Sequence, residues 1–149
     1  MFDGAGFTRG LKRKNFNMKG ASCLVVGTGG VGSAIAASLA AEGIARMVLS
    51  DSNTNSAEGL ALRLKQHYPV MEVRTGNNDP KGFDLIVNAT PLGMKSGDAL
   101  PFDVSRIAPE TFVGEVVMKQ EITPLLKAAQ EKGCRTQVGT DMLFEQIPA

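Results

Sequence analysis

The stretch Ser22-Cys23-Leu24-Val25-Val26-Gly27-Thr28-Gly29-Gly30-Val31-Gly32 decides how this chain is read. A short apolar run ends abruptly in glycines, which predicts a buried strand meeting a tight turn. From Val31 to about Ala41 the sequence is rich in alanine, with Ile35 and Leu39 four apart and Glu42-Gly43 as a stop, so a helix follows the turn. The glycines satisfy GxGxxG between a strand and a helix, the context in which that pattern has a mechanism. Gly27 permits the turn, Gly29 lets backbone approach a pyrophosphate, and Gly32 lets helix and strand pack closely. The helix N-terminus, with Thr28, Gly30 and Val31 in the same loop, offers free N–H groups and a partial positive charge to phosphates. A glycine-rich turn that binds nothing is the plain alternative.

Outward from this point, short apolar runs alternate with helical stretches. Met47-Val48-Leu49 reads as a second strand, residues 57–68 as a helix ended by Pro69, residues 70–74 as a third strand and residues 83–87 as a fourth. Residues 91–109, with Gly93, Gly97 and Pro101, are loop-rich. Residues 111–117 give another strand, residues 124–132 a helix opened by proline and closed by Gly133, and residues 135–138 a last strand. A helix is expected to begin near Met142. Strands separated by helices, with apolar runs that do not alternate, predict an α/β fold: a Rossmann-like, mostly parallel sheet covered on both faces. Ligands bind such sheets beyond the carboxyl ends of the strands, in the loops after Val26, Leu49, Val87, Val117 and Val138.

Asp51 closes the second strand 19 positions after Gly32, close to the spacing of about 20 at which an acidic residue meets a ribose. A carboxylate there accepts hydrogen bonds from ribose hydroxyls and repels a 2′-phosphate. The residues after it, Ser52, Asn53, Thr54 and Asn55, include no Arg or Lys to hold such a phosphate. NAD is therefore expected over NADP. A simple turn or cap role for Asp51 stays open, and the same loop geometry could hold S-adenosylmethionine.

Length and composition set the outer bounds. The 149 residues fit one domain. A net charge of +1, with no run of like charges beyond Lys12-Arg13-Lys14, leaves no footprint for nucleic acid or an anionic membrane. No apolar run reaches the roughly 18 residues of a membrane span, and the first residues lack the pattern of a leader, so a cytoplasmic location is expected. Cys23 and Cys134 lack CxxC spacing and neighbouring histidines, which predicts buried free thiols and no metal site. His67, the one histidine, reads as a solvent-facing helix residue.

Beyond these readings, four segments carry a resemblance. Asp3-Gly4-Ala5-Gly6-Phe7, Asn88-Ala89-Thr90-Pro91-Leu92-Gly93-Met94, Thr123-Pro124-Leu125-Leu126, and Met142-Leu143 four residues before Gln146 occur in an order that resembles the shikimate/quinate dehydrogenase family. The resemblance spans nearly the whole chain but covers only the carboxyl-terminal, nucleotide-binding half of such an enzyme. It implies one dinucleotide-binding domain over residues 1–149, with the amino-terminal domain that carries most of the substrate pocket and the catalytic lysine lying outside it. Asp3 matches the aspartate of the family's Asn-Thr-Asp-Gly motif, which works with that lysine at the substrate hydroxyl. A helix N-cap is the plainer role for Asp3, and Met1-Phe2 stand in place of Asn-Thr.

The same resemblance implies that Thr90, Pro91 and Leu92 pass the nicotinamide ribose. It implies too that the Val116 backbone reaches the nicotinamide amide, Gly139 and Met142 wall the ring, and Gln146 bonds substrate. Met118 stands where many members have a substrate-side tyrosine, a role open also to simple gap filling, and Asp141 replaces a glycine. The expected activity is hydride transfer between a secondary alcohol on a carboxylated ring, of the shikimate or quinate class, and nicotinamide. The isolated chain is expected to bind dinucleotide but to be nearly inactive, with association into a homodimer possible through an apolar face. A non-catalytic nucleotide-binding module or sensor is the alternative, and a methyltransferase or a glutamyl-tRNA reductase-like protein a third reading that the Asn88–Met94 run disfavours.

Overall fold

The computed structural model describes residues 4–90, 101–115 and 123–137. In chain order the elements are α1 (Gly4–Arg13), β1 (Ser22–Val26), α2 (Gly30–Ala41), β2 (Arg46–Ser50), α3 (Thr54–His67), β3 (Glu72–Thr75), β4 (Leu85–Asn88), a 3-10 turn (Val104–Arg106), β5 (Phe112–Glu115), α4 (Pro124–Glu131) and β6 (Arg135–Gln137). The six strands form one sheet in the order β3-β2-β1-β4-β5-β6, and every pairing is parallel. This is the Rossmann order, with the reversal of strand order falling between β1 and β4.

The alternation of side chains along each strand explains the two-sided core. Cys23 and Val25 of β1, Met47 and Leu49 of β2, Leu85 and Val87 of β4 and Phe112 of β5 face the layer of α1, α2 and α3. Leu24, Val26, Val48, Ile86 and Val113 face the opposite layer, with Leu125, Leu126 and Ala129 of α4. Full burial of such side chains contributes about 1.5–3 kcal/mol each. Both faces of the central strands are covered, so those strands read as continuous apolar runs. At the sheet edge, β3 buries only Val73.

Boundaries differ from the sequence reading where side chains, not propensity, set them. Helix α3 starts at Thr54, three residues before the expected Ala57, because Asn53 caps it by accepting from the Ser56 N–H at 3.2 Å. Strand β3 starts at Glu72, since the Met71 N–H turns back to the Tyr68 carbonyl and leaves Val70 98% exposed. Phe83 stands outside β4, with the Arg46 guanidinium 5.2 Å from its ring centroid. The loop-rich stretch contains the 3-10 turn, capped by Asp103. Cys23 and Cys134 are buried free thiols, raised by burial, and His67 is exposed, as expected. No helix among the described residues is long and apolar enough to cross a membrane.

Candidate functional site

The carboxyl ends of β1, β2, β4 and β5 come together around the glycine turn. Gly27 has φ +99°, and its N–H bonds the Ser50 carbonyl at 2.8 Å, so the turn leaves β1 locked onto β2. A Cβ at Gly27 would lie 2.9 Å from the Ala89 backbone, and one at Gly32 would collide with the Gly27 carbonyl. These two glycines are required by geometry. At Gly29 and Gly30 an added Cβ meets nothing within 4 Å, so this stretch of backbone faces open space. Gly29 is the N-cap of α2 with no side-chain cap, which leaves first-turn N–H groups for an outside acceptor. Open backbone at the second glycine, forced close packing at the third and an uncapped helix end together fit a pyrophosphate.

Asp51 lies beside this turn and is held there. Its Oδ2 accepts from the Thr28 N–H at 2.8 Å and the Thr28 hydroxyl at 2.7 Å, and its Oδ1 accepts from the Asn53 N–H at 2.9 Å. The Thr28 hydroxyl foremost, then the Asn53 and Thr28 N–H groups and the Ser52 side chain, hold the carboxyl below its ordinary value against the opposing effect of burial. An ionised carboxylate with a fixed orientation suits ribose hydroxyls, which donate to it, and opposes a phosphate. The turn role left open for Asp51 is therefore real, and its three loop hydrogen bonds use three of the roughly four acceptor sites of a carboxylate.

Of the sequence-predicted residues, Gly27, Thr28, Gly29, Gly30, Val31, Gly32, Asp51, Ser52, Asn53 and Thr90 are brought to this one end of the sheet. Asn53 faces solvent but spends its side-chain oxygen on capping α3, so its contribution is to shape the loop. Asp3, Pro91, Leu92, Val116, Met118, Gly139, Met142 and Gln146 lie outside the described residues.

Sequence reasoning missed Ser33 and Ser56, whose hydroxyls donate to the Thr28 carbonyl at 3.0 and 3.1 Å and tie α2 and α3 to the turn. It also missed the buried pair Asn88 and Glu115. A lone acidic residue within the apolar run 111–117 was the available signal for Glu115.

No family model matches the chain. The quinate/shikimate dehydrogenase (NAD(+)) of Corynebacterium glutamicum strain R is 36% identical over 149 residues, covering 97% of this chain and 53% of that protein. Among solved structures, quinate dehydrogenase from Corynebacterium glutamicum in complex with NAD superposes with a TM-score of 0.84 at 36% identity, covering 97% of this chain and 53% of that one. A ligand-free 5-ketofructose reductase of Gluconobacter sp. strain CHM43 gives 0.87 at 30% identity, with 97% and 53% covered. The chain spans about half the length of the curated relatives it matches. The glycine turn, the sheet order and this match along 97% of its residues make the chain a homologue of the shikimate/quinate dehydrogenases, corresponding to about half of such a protein.

Proposed function

We propose that this chain is the NAD-binding part of a shikimate/quinate dehydrogenase-like oxidoreductase, in which hydride passes between a ring secondary alcohol and nicotinamide. The observation that carries the reading is the anchored Asp51 carboxylate beside an open glycine turn. The α2 N-terminus would hold the pyrophosphate, Asp51 would take the adenosine ribose hydroxyls, and Thr90 would stand on the nicotinamide side. NAD, when bound, supplies the hydride acceptor. The substrate hydroxyl also needs a base, which the family resemblance assigns to a lysine with no counterpart assigned among these residues, with Asp3 as its helper. The 149 residues alone are therefore expected to bind NAD without turning over substrate.

Titration with each cofactor tests this. NAD is expected to bind about tenfold or more tighter than NADP, a difference of at least about 1.4 kcal/mol, and Asp51→Ala is expected to shrink that gap. A clear preference for NADP would overturn the role of Asp51. Robust shikimate- or quinate-dependent NAD reduction by these residues alone would show that the active site is complete within them. The likeness to 5-ketofructose reductase favours a second substrate reading, a polyhydroxy ketone, which a substrate series on the full reading frame separates. A full reading frame that binds NAD but oxidises none of these substrates would identify the non-catalytic module instead.

A further inference from the structure

The ends of β4 and β5 carry buried polar side chains that the glycine turn does not require. Asn88 is 0% and Glu115 1% exposed, and the parallel register sets them side by side. The Asn88 Nδ2 group donates to Glu115 Oε2 at 3.3 Å. On its other side, Asn88 Oδ1 accepts from the Thr90 N–H at 3.0 Å and the Thr90 hydroxyl at 2.6 Å. Burying a carboxylate is costly, and the preceding β5 residues Phe112 and Val113 show that apolar side chains fit this strand.

Two further contacts place Thr90 and the residue before it. The Ala89 N–H bonds the Val26 carbonyl at 2.7 Å. The Thr90 methyl lies where a Cβ on Gly27 would come within 3.0 Å of it. Thr90 is thus wedged between the glycine turn and the buried pair. In a sheet of this order a dinucleotide crosses the crevice where the order reverses, one half over β1 and β2 and the other over β4 and β5. With Asp51 at the end of β2 taking the adenosine side, the nicotinamide half falls over Thr90.

We propose that Asn88 and Glu115 are positioning residues which, acting through Thr90, fix the surface on which the nicotinamide half of the dinucleotide rests. The proposal rests on the NAD-binding reading above. It predicts that the pair governs the nicotinamide half of the ligand and not the adenosine half.

Calorimetric titration of the 149-residue chain with NAD and with ADP, which lacks the nicotinamide half, tests it. Asn88→Asp sets two carboxylates against each other and is expected to weaken NAD about tenfold or more while ADP stays within about twofold. Adding Glu115→Gln to Asn88→Asp supplies a donor to the new carboxylate, which still accepts from Thr90, and is expected to restore NAD to within about threefold of the original. Thr90→Val, at a half-buried position, replaces the hydroxyl that bonds Asn88 with a methyl and is expected to weaken NAD several-fold with ADP unmoved. That variant decides the matter where Asn88→Asp does not fold. Parallel loss of NAD and ADP, no loss of either, or no recovery in the double variant would overturn the proposal. An unsubstituted chain that binds ADP but not NAD would overturn it too, whereas one that binds neither would overturn the cofactor reading beneath it.

Discussion

A single carboxylate, that of Asp51, builds the turn and, in the proposed cofactor reading, would also present charge to a ligand. Because its folded-state pKa lies below the ordinary 3.8, its contribution to stability is complete above that value and is lost as pH falls through the lower folded one. Asp79, held low by Arg106, and Asp103, held low by the Ser105 side chain, act in the same direction. The urea midpoint is therefore expected to fall as the pH drops below about 5. In Asp51→Asn that fall should be shallower, with the remainder owed to Asp79 and Asp103, and an identical acid slope in the variant would show that the carboxylate does not anchor Thr28. Asp51 was legible in the sequence because its distance from the glycines is fixed by one helix and one strand. The contacts between elements were not legible, because Ser56 reaches Thr28 only after α3 folds back over the turn, and Asn88 meets Glu115 only through a strand pairing 27 residues apart in sequence.

At the scale of elements, the sheet was readable because its central strands are buried on both faces, which writes them as unbroken apolar runs such as residues 23–26 and 47–49. Their ends were less legible where a side chain overrides propensity, as at the Asn53 cap and the turn before β3. The link between β3 and β4, residues 76–84, crosses the sheet without a helix, and the Asp79 carboxylate grips Arg106 through bonds of 2.8 and 3.0 Å. A close join links the glycine turn to α2. A methyl group at Gly32 would drive into the Gly27 carbonyl and also lie 3.3 Å from the Ala89 Cβ. Gly32→Ala is therefore expected to cost about 1–3 kcal/mol and to weaken NAD, since the carbonyl can yield only by moving the turn. Equilibrium unfolding and NAD titration measure the two effects. Unchanged values for both would mean that helix and strand can separate without disturbing the loop.

Across the whole molecule, the first and last described elements close on each other. Helix α1 precedes β1 in the chain, packs against α2, lays Phe7 on Gly114 of β5 and is hydrogen-bonded to β6. Gln137 Nε2 donates to the Phe7 carbonyl at 3.0 Å, Lys14 Nζ donates to the Thr136 carbonyl at 3.0 Å, and Arg135 donates to the Lys14 carbonyl at 2.8 Å. Phe7 itself is fully buried in the same core layer as Phe112 and Ile35. Contacts of such long sequence separation form only when the sheet is assembled, which ties α1 to the cooperative unit. Phe7→Ala is therefore expected to cost about 3–5 kcal/mol, lowering the urea midpoint with an unchanged slope. Folded molecules of the variant should keep their ADP affinity, because Phe7 packs under Gly114 of β5 and not at the end of β1 that carries the turn. A loss below about 1 kcal/mol, or unfolding of α1 ahead of the sheet in hydrogen exchange, would instead make α1 a separable arm whose place on β6 is not needed for the fold.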